Sequence, residues 1–177
     1  MYEIGVFMKK IILFLSMLLL CGCSNREYSA REMEYVDIKE YSRMQAEEII
    51  ECVVRKDKEG LKSVFSKHIS ETHNLDKEID EFFEFIDGEI VSYDTPEGSM
   101  GGGRKRDGEY VERTTGGQIE NIITSTGNKY MISFMTYYIC EENKDKEGVS
   151  VLGVVDANSY KGEIPYQTYD EYVVGEQ

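Results

Sequence analysis

The chain has 177 residues, 20 Lys and Arg against 34 Asp and Glu, a formal charge of −14 at pH 7 and no Trp. That length suits one ordinary domain and excludes a repeat array, a collagen, a many-span membrane protein and a disulfide-dense mini-scaffold. Affinity for nucleic acid comes mostly from Lys and Arg displacing counterions, so a polyanion of this size is expected to have no nucleic-acid partner.

The first element in chain order is an address. Lys9 and Lys10 precede the apolar run from Ile11 to Leu20, and small residues follow. A basic opening, a short apolar stretch and a small-residue cut site form a secretory signal. The run is ten residues long, whereas a spanning helix needs about twenty. Leu20-Cys21-Gly22-Cys23 resembles the lipobox of bacterial lipoproteins, with Cys21 standing where Ala or Ser is usual. The resemblance implies cleavage between Gly22 and Cys23, lipidation of Cys23, and anchoring at the extracytoplasmic face of the cell membrane. Each buried acyl methylene contributes about 0.8 kcal/mol, so the chains on one cysteine hold a protein without a spanning helix. Met8-Lys9-Lys10 is itself a normal signal opening, which points to a true start at Met8. Residues 1–22 are thus the signal, and residues 23–38, polar and without sustained period, a tether.

Residues 39–160 read as one domain. Ala46, Ile49, Ile50, Val53 and Val54 recur at helical spacing opposite Glu47, Glu48, Glu51 and Arg55, which predicts an amphipathic helix. Asp57 caps a shorter helix with Leu61, Val64 and Phe65 on its apolar side. A third carries Leu75, Ile79, Phe82, Phe83 and Ile86 and stops at Asp87-Gly88. After Gly88 the period drops to two. Residues 89–93 predict a short strand, 94–108 a Gly-rich loop, and 110–125 a long strand broken or bulged at Gly116-Gly117. After the turn at 126–128 comes a strand with Tyr130, Ile132, Phe134, Thr136, Tyr138 and Cys140 on one face and Met131, Ser133, Met135, Tyr137 and Ile139 on the other. Both faces are apolar or aromatic, which predicts a central strand covered by helices on one side and at least partly on the other. Residues 141–148 predict a charged hairpin loop and 149–157 a last strand. Residues 161–177 read either as a lid or as a tail.

Helices followed by an antiparallel meander make an α+β fold, N-terminal helices packed on a curved antiparallel sheet. The runs at 46–50, 55–66 and 79–88 resemble the opening of the nuclear transport factor two-like (cystatin-like) cone, and more narrowly a family of small Gram-positive lipoproteins of unknown function. The resemblance implies a conical half-barrel with a pocket between helices and sheet.

Tyr130, Tyr137, Tyr138 and Asp156 lie on strands and are the candidate pocket residues, although tyrosines in a Trp-free domain also serve as amphipathic core. In the ketosteroid-isomerase-type members of that superfamily an acid and a tyrosine work inside the cone, but no strict motif here carries those roles. The expected function is therefore a noncatalytic lipid-anchored module binding a small apolar ligand, a cell-wall fragment or an envelope protein; the alternative is a small cofactor-free isomerase or lyase. Arg104, Lys105 and Arg106 form the basic island in an acidic chain and are the candidate contact for anionic lipid or an acidic partner. Cys52 and Cys140 are the thiols of the exported part and either pair or are two small buried residues. His68 and His73, five apart, fall on different helical faces and predict no metal site. No cofactor is expected, and the acid clusters at 47–51 and 76–84 read as solvated faces.

Overall fold

The computed structural model describes residues 38–99, 101–159 and 170–175. Among the described residues four α-helices precede the sheet: α1 (Ile38–Arg55), α2 (Lys58–Val64), α3 (Lys67–Thr72) and α4 (Leu75–Phe85). Three were expected; α3, six residues long, is too short to show a period. Ser66 caps it, its hydroxyl accepting from Ile69 N at 3.3 Å. Asp57 caps α2 as expected, accepting from Gly60 N, and Asn74 caps α4, accepting from Lys77 N.

Seven strands follow: β1 (Ile90–Ser92), β2 (Glu97–Gly98), β3 (Gly102–Arg106), β4 (Glu109–Thr124), β5 (Lys129–Cys140), β6 (Gly148–Asp156) and β7 (Asp170–Gly175). The fold is α+β. All strand pairs in the sheet are antiparallel, in the order β1-β4-β5-β6-β7, with β2 and β3 also on β4. β5 is the central strand, as its two-sided apolar pattern required. β1, β2 and β3 run in turn along one edge of β4, so they act as a single edge strand interrupted at residues 93–96 and 99–101.

Three expectations are corrected here. The segment at 94–108 is not a loop throughout: β2 and β3 lie within it, and β3 turns into β4 through Asp107 and Gly108, both at positive φ. An Asp-Gly pair at positive φ is what a two-residue hairpin requires, so glycine marked the turn while the flanking residues remained strand. Gly116 and Gly117 sit in regular register with Met135 and Phe134, and the bulges of β4 fall instead at Arg113/Thr114 and Ile119/Ile122. The sheet also extends past residue 160, because β7 pairs with β6 from Val151↔Gly175 to Asp156↔Asp170; the lid-or-tail reading of 161–169 lies outside the described residues, as do the signal, Gly22, Cys23 and the tether to residue 37.

The core fills the space between helices and sheet. Ile49, Ile50, Leu61, Ile79 and Phe82 from the helices meet Ile119, Ile122, Ile132, Leu152 and Val154 from the sheet, all at 0–1% exposure. Each such side chain contributes about 1.5–3 kcal/mol by leaving water. Their side chains pack the space between helices and sheet. Cys52 and Cys140 are both buried and both free thiols, so the two small-core-residue reading applies. Among the described residues no helix is long and apolar enough to cross a membrane.

Candidate functional site

The four sequence-selected pocket residues do not converge. Tyr130 is core: its hydroxyl accepts from Asp87 N at 3.0 Å and its ring meets Phe85 edge-on at 6.2 Å. Asp156 is its register partner on β6, but its carboxylate is engaged locally, accepting from Asn158 N at 2.8 Å. Tyr138 lies eight residues along β5, about 26 Å away at ~3.3 Å per residue. Tyr137 points to the opposite face.

Tyr138 stands in a small polar cluster beneath α1. Its ring lies 5.5 Å from that of Tyr41, and the Arg113 guanidinium sits 5.1 Å from its centroid. Burial pushes the Tyr138 phenol up to about 12 and raises that of Tyr41. Among the described residues the Tyr138 hydroxyl is buried without a hydrogen-bond partner. Such a group costs about 1–3 kcal/mol.

The basic island is largely neutralised at home. Arg104 pairs with Glu142 at 2.9 Å and Glu112 at 3.7 Å, Arg106 with Glu142 at 3.4 Å, and the Lys105 ammonium lies 4.3 Å from the Tyr110 ring centroid. His73 Nδ1 lies 3.2 Å from Glu78 Oε1.

A built depression lies elsewhere, at the first interruption of the edge strand. Where residues 93–96 leave β4, the facing strand bulges at residues 120–121, and Asn121 takes a positive φ of 53° that Asn tolerates. The two irregularities are clamped together: Asp94 N donates to Glu120 O at 3.0 Å, and Asn121 Nδ2 donates to the Asp94 carboxylate. Pairing resumes at Glu97↔Gln118 and Gly98↔Gly117.

Next to it, Ser42 of α1, fully buried, donates to Gly116 O and accepts from Ser99 N at 3.1 Å, while Thr115 Oγ1 donates to Ser99 O at 3.2 Å. The Gly98–Ser99 segment is thereby pinned between helix and sheet. Glycine is required on both sides of this contact: a Cβ at Gly98 would fall 1.8 Å from Lys39 O, and one at Gly117 would fall 2.9 Å from the Phe134 ring.

The result is a cleft of about 650 Å³, within the usual range for small-molecule sites. Asp94, Glu97 and Glu120 supply carboxylates to its lining, Ser99, Gln118 and Ser133 neutral hydrogen-bonding groups, and Gly116 and Gly117 a floor without side chains; among the described residues no Lys or Arg lines it. Among the described residues no three His, Cys, Asp or Glu are close enough to hold one metal ion. A second groove of about 490 Å³, lined by Val53, Val54, Phe83, Ile86 and Ile90, runs between the ends of α1 and α4.

None of the acidic cleft residues was selected from the sequence. The available signal was the recurrence of glycine beside a polar residue in two segments, Glu97-Gly98 and Gly117-Gln118; their pairing is a long-range fact. Residues 48–157, which contain the C-terminal part of α1, all of α2 to α4, β1 to β6 and every cleft-lining residue, match a family model described as a domain of unknown function, DUF5104. No curated protein matches the chain.

Proposed function

We propose, for a chain that belongs to the DUF5104 family of domains of unknown function, that it is a lipid-anchored module at the extracytoplasmic face of the cell membrane that binds a positively charged ligand without transforming it. The observation that carries the binding role is the cleft, lined among the described residues by three carboxylates and no cation. Charge attracts and orients such a ligand, and Ser99, Gln118 and Ser133 offer the neutral hydrogen bonds that give it register. The anchoring half rests on the sequence Leu20-Cys21-Gly22-Cys23. We read the fold as a nuclear transport factor two-like cone, on the strength of helices preceding a sheet whose long strands are bulged at several registers.

The test uses full-length protein purified from membranes, with spermine as the cationic probe. Spermine is expected to raise the unfolding temperature in proportion to its occupancy, and Glu97→Gln with Glu120→Gln to abolish the rise. No rise at millimolar spermine defeats the binding role. Intact mass tests the anchor separately: a chain beginning at Cys23 and carrying acyl groups is expected, and an uncleaved, unmodified chain defeats it.

A specific observation favours a second reading, an isomerase or lyase, at the Tyr138 cluster. A neutral phenol with no partner of its own is suited to donate to a developing oxyanion. Its test is turnover of a β,γ-unsaturated ketone that is lost in Tyr138→Phe.

A further inference from the structure

The helices cover one face of the sheet; the other face is uncharged over its centre. Strand alternation and register place Met131, Met135, Tyr137 and Ile139 of β5, Val151 and Val155 of β6 and Val173 of β7 on it. All are partly exposed, and Met135 reaches 38%. Two central rows run Gln118, Ser133, Gly153, Val173 and Gly116, Met135, Val151, Gly175; from β4 to β7 neither holds an acid or base, and the first continues on β2 to Glu97 at the cleft. In a chain with 34 acidic residues, an uncharged apolar sheet face of this size marks a contact surface.

This face is continuous with the acidic cleft. Gly116, Gln118 and Ser133 belong to its central rows and also line the cleft. Four strands about 4.8 Å apart, over the roughly 20 Å that the six-residue β7 spans, give roughly 380 Å²; this is below the ~800 Å² per partner of a stable complex and suits a transient one.

We propose that this composite surface docks a polypeptide whose contact side is apolar at the centre and basic along one rim. The inference rests on the cationic-ligand reading above and names that ligand as a protein segment. Charge selects this occupant over a second copy of the chain. A copy would bring another cleft with Asp94, Glu97 and Glu120 and another share of the −14 charge, whereas Lys and Arg on a partner's rim would meet those carboxylates while its apolar residues cover the face. Met131 and Met135 adapt to such a surface because their unbranched side chains repack readily.

The experiment uses full-length protein in neutral phosphatidylcholine nanodiscs and two fluorescent probes, an alternating lysine–leucine peptide and a lysine-only peptide of equal charge, with anisotropy as the readout. The alternating peptide is expected to bind at least about tenfold more tightly than the lysine-only one. Val173→Lys, at a partly exposed position on the edge strand β7 and two strands from the cleft residue Ser133, is expected to remove that advantage while leaving the spermine shift of the unfolding temperature intact. Equal affinity for the two peptides, or an advantage that survives Val173→Lys, overturns the docking surface and leaves the small-cation reading standing. Loss of the spermine shift in the unaltered chain overturns the cleft reading and, with it, this one. A Met135→Cys chain that forms a disulfide-linked dimer in membranes overturns it in favour of a second copy.

Discussion

Gly98→Ala tests the account of how the cleft is built. The added Cβ would lie 1.8 Å from the carbonyl oxygen of Lys39, 2.5 Å from its carbon and 2.8 Å from its Cα, against an ordinary C···O approach of about 3.3 Å. The first turn of α1 would therefore have to move by about 1.5 Å. All three opposing atoms are backbone, so no rotamer change relieves the contact. Movement also stretches the two hydrogen bonds by which Ser42 ties α1 to Gly116 O and Ser99 N, each contributing about 1 kcal/mol. Added to the 1–3 kcal/mol usual for overpacking, the loss comes to about 3–5 kcal/mol, roughly two to three and a half decades in the folding constant. Urea unfolding of the full chain followed by circular dichroism reads this as a lower midpoint at unchanged slope. Gly102→Ala is the control: there the nearest atom to a Cβ is Thr114 Oγ1 at 3.8 Å, and a change within about 0.5 kcal/mol is expected. A Gly98→Ala protein as stable as that control would refute the close helix–strand contact.

Two tyrosines on the same strand are expected to respond oppositely to loss of the hydroxyl. Tyr130→Phe orphans Asp87 N and should cost about 1–2 kcal/mol by denaturant titration, whereas Tyr138→Phe removes a buried hydroxyl that has no partner and should be neutral or stabilising. Alkaline titration checks the burial of Tyr138 further. Its phenol, held up to about 12 against an ordinary 10, stays protonated in the fold after unfolded phenols have ionised. Its contribution is constant below pH 10 and declines from there to about pH 12, so the decline should be shallower in Tyr138→Phe. At the acid end, Glu81 is held below the ordinary carboxylate value of 4.5, chiefly by the Tyr172 hydroxyl donating to it at 2.7 Å. A depressed carboxylate stabilises above its unfolded pKa and loses that share as pH falls through its folded one. The stability gap between the parent chain and Tyr172→Phe should therefore close below about pH 4.5, as pH-dependent unfolding curves will report; a gap independent of pH removes Glu81 from the account.

The elements legible in the sequence were those governed by local chemistry. The stripe Ala46, Ile49, Ile50, Val53 could bury itself only as a helix, the Asp57 cap announced its own helix, and the two-sided apolar pattern around Tyr130 required a central strand. The helices-then-strands order was enough for the α+β class. What the tertiary structure decided was where non-local partners meet. The Glu97–Gly98 and Gly117–Gln118 segments are about twenty positions apart and form one ladder; Gly98 must be glycine because of Lys39 on a helix some sixty residues earlier; and Tyr137 and Tyr138, adjacent in sequence, are sent to opposite faces by strand alternation. A side chain's type is written in the chain, but a cleft is a relation among backbone positions brought together by folding. That is why the acidic cleft surfaced only with the fold, while the helix stripes and caps, which are local, needed none.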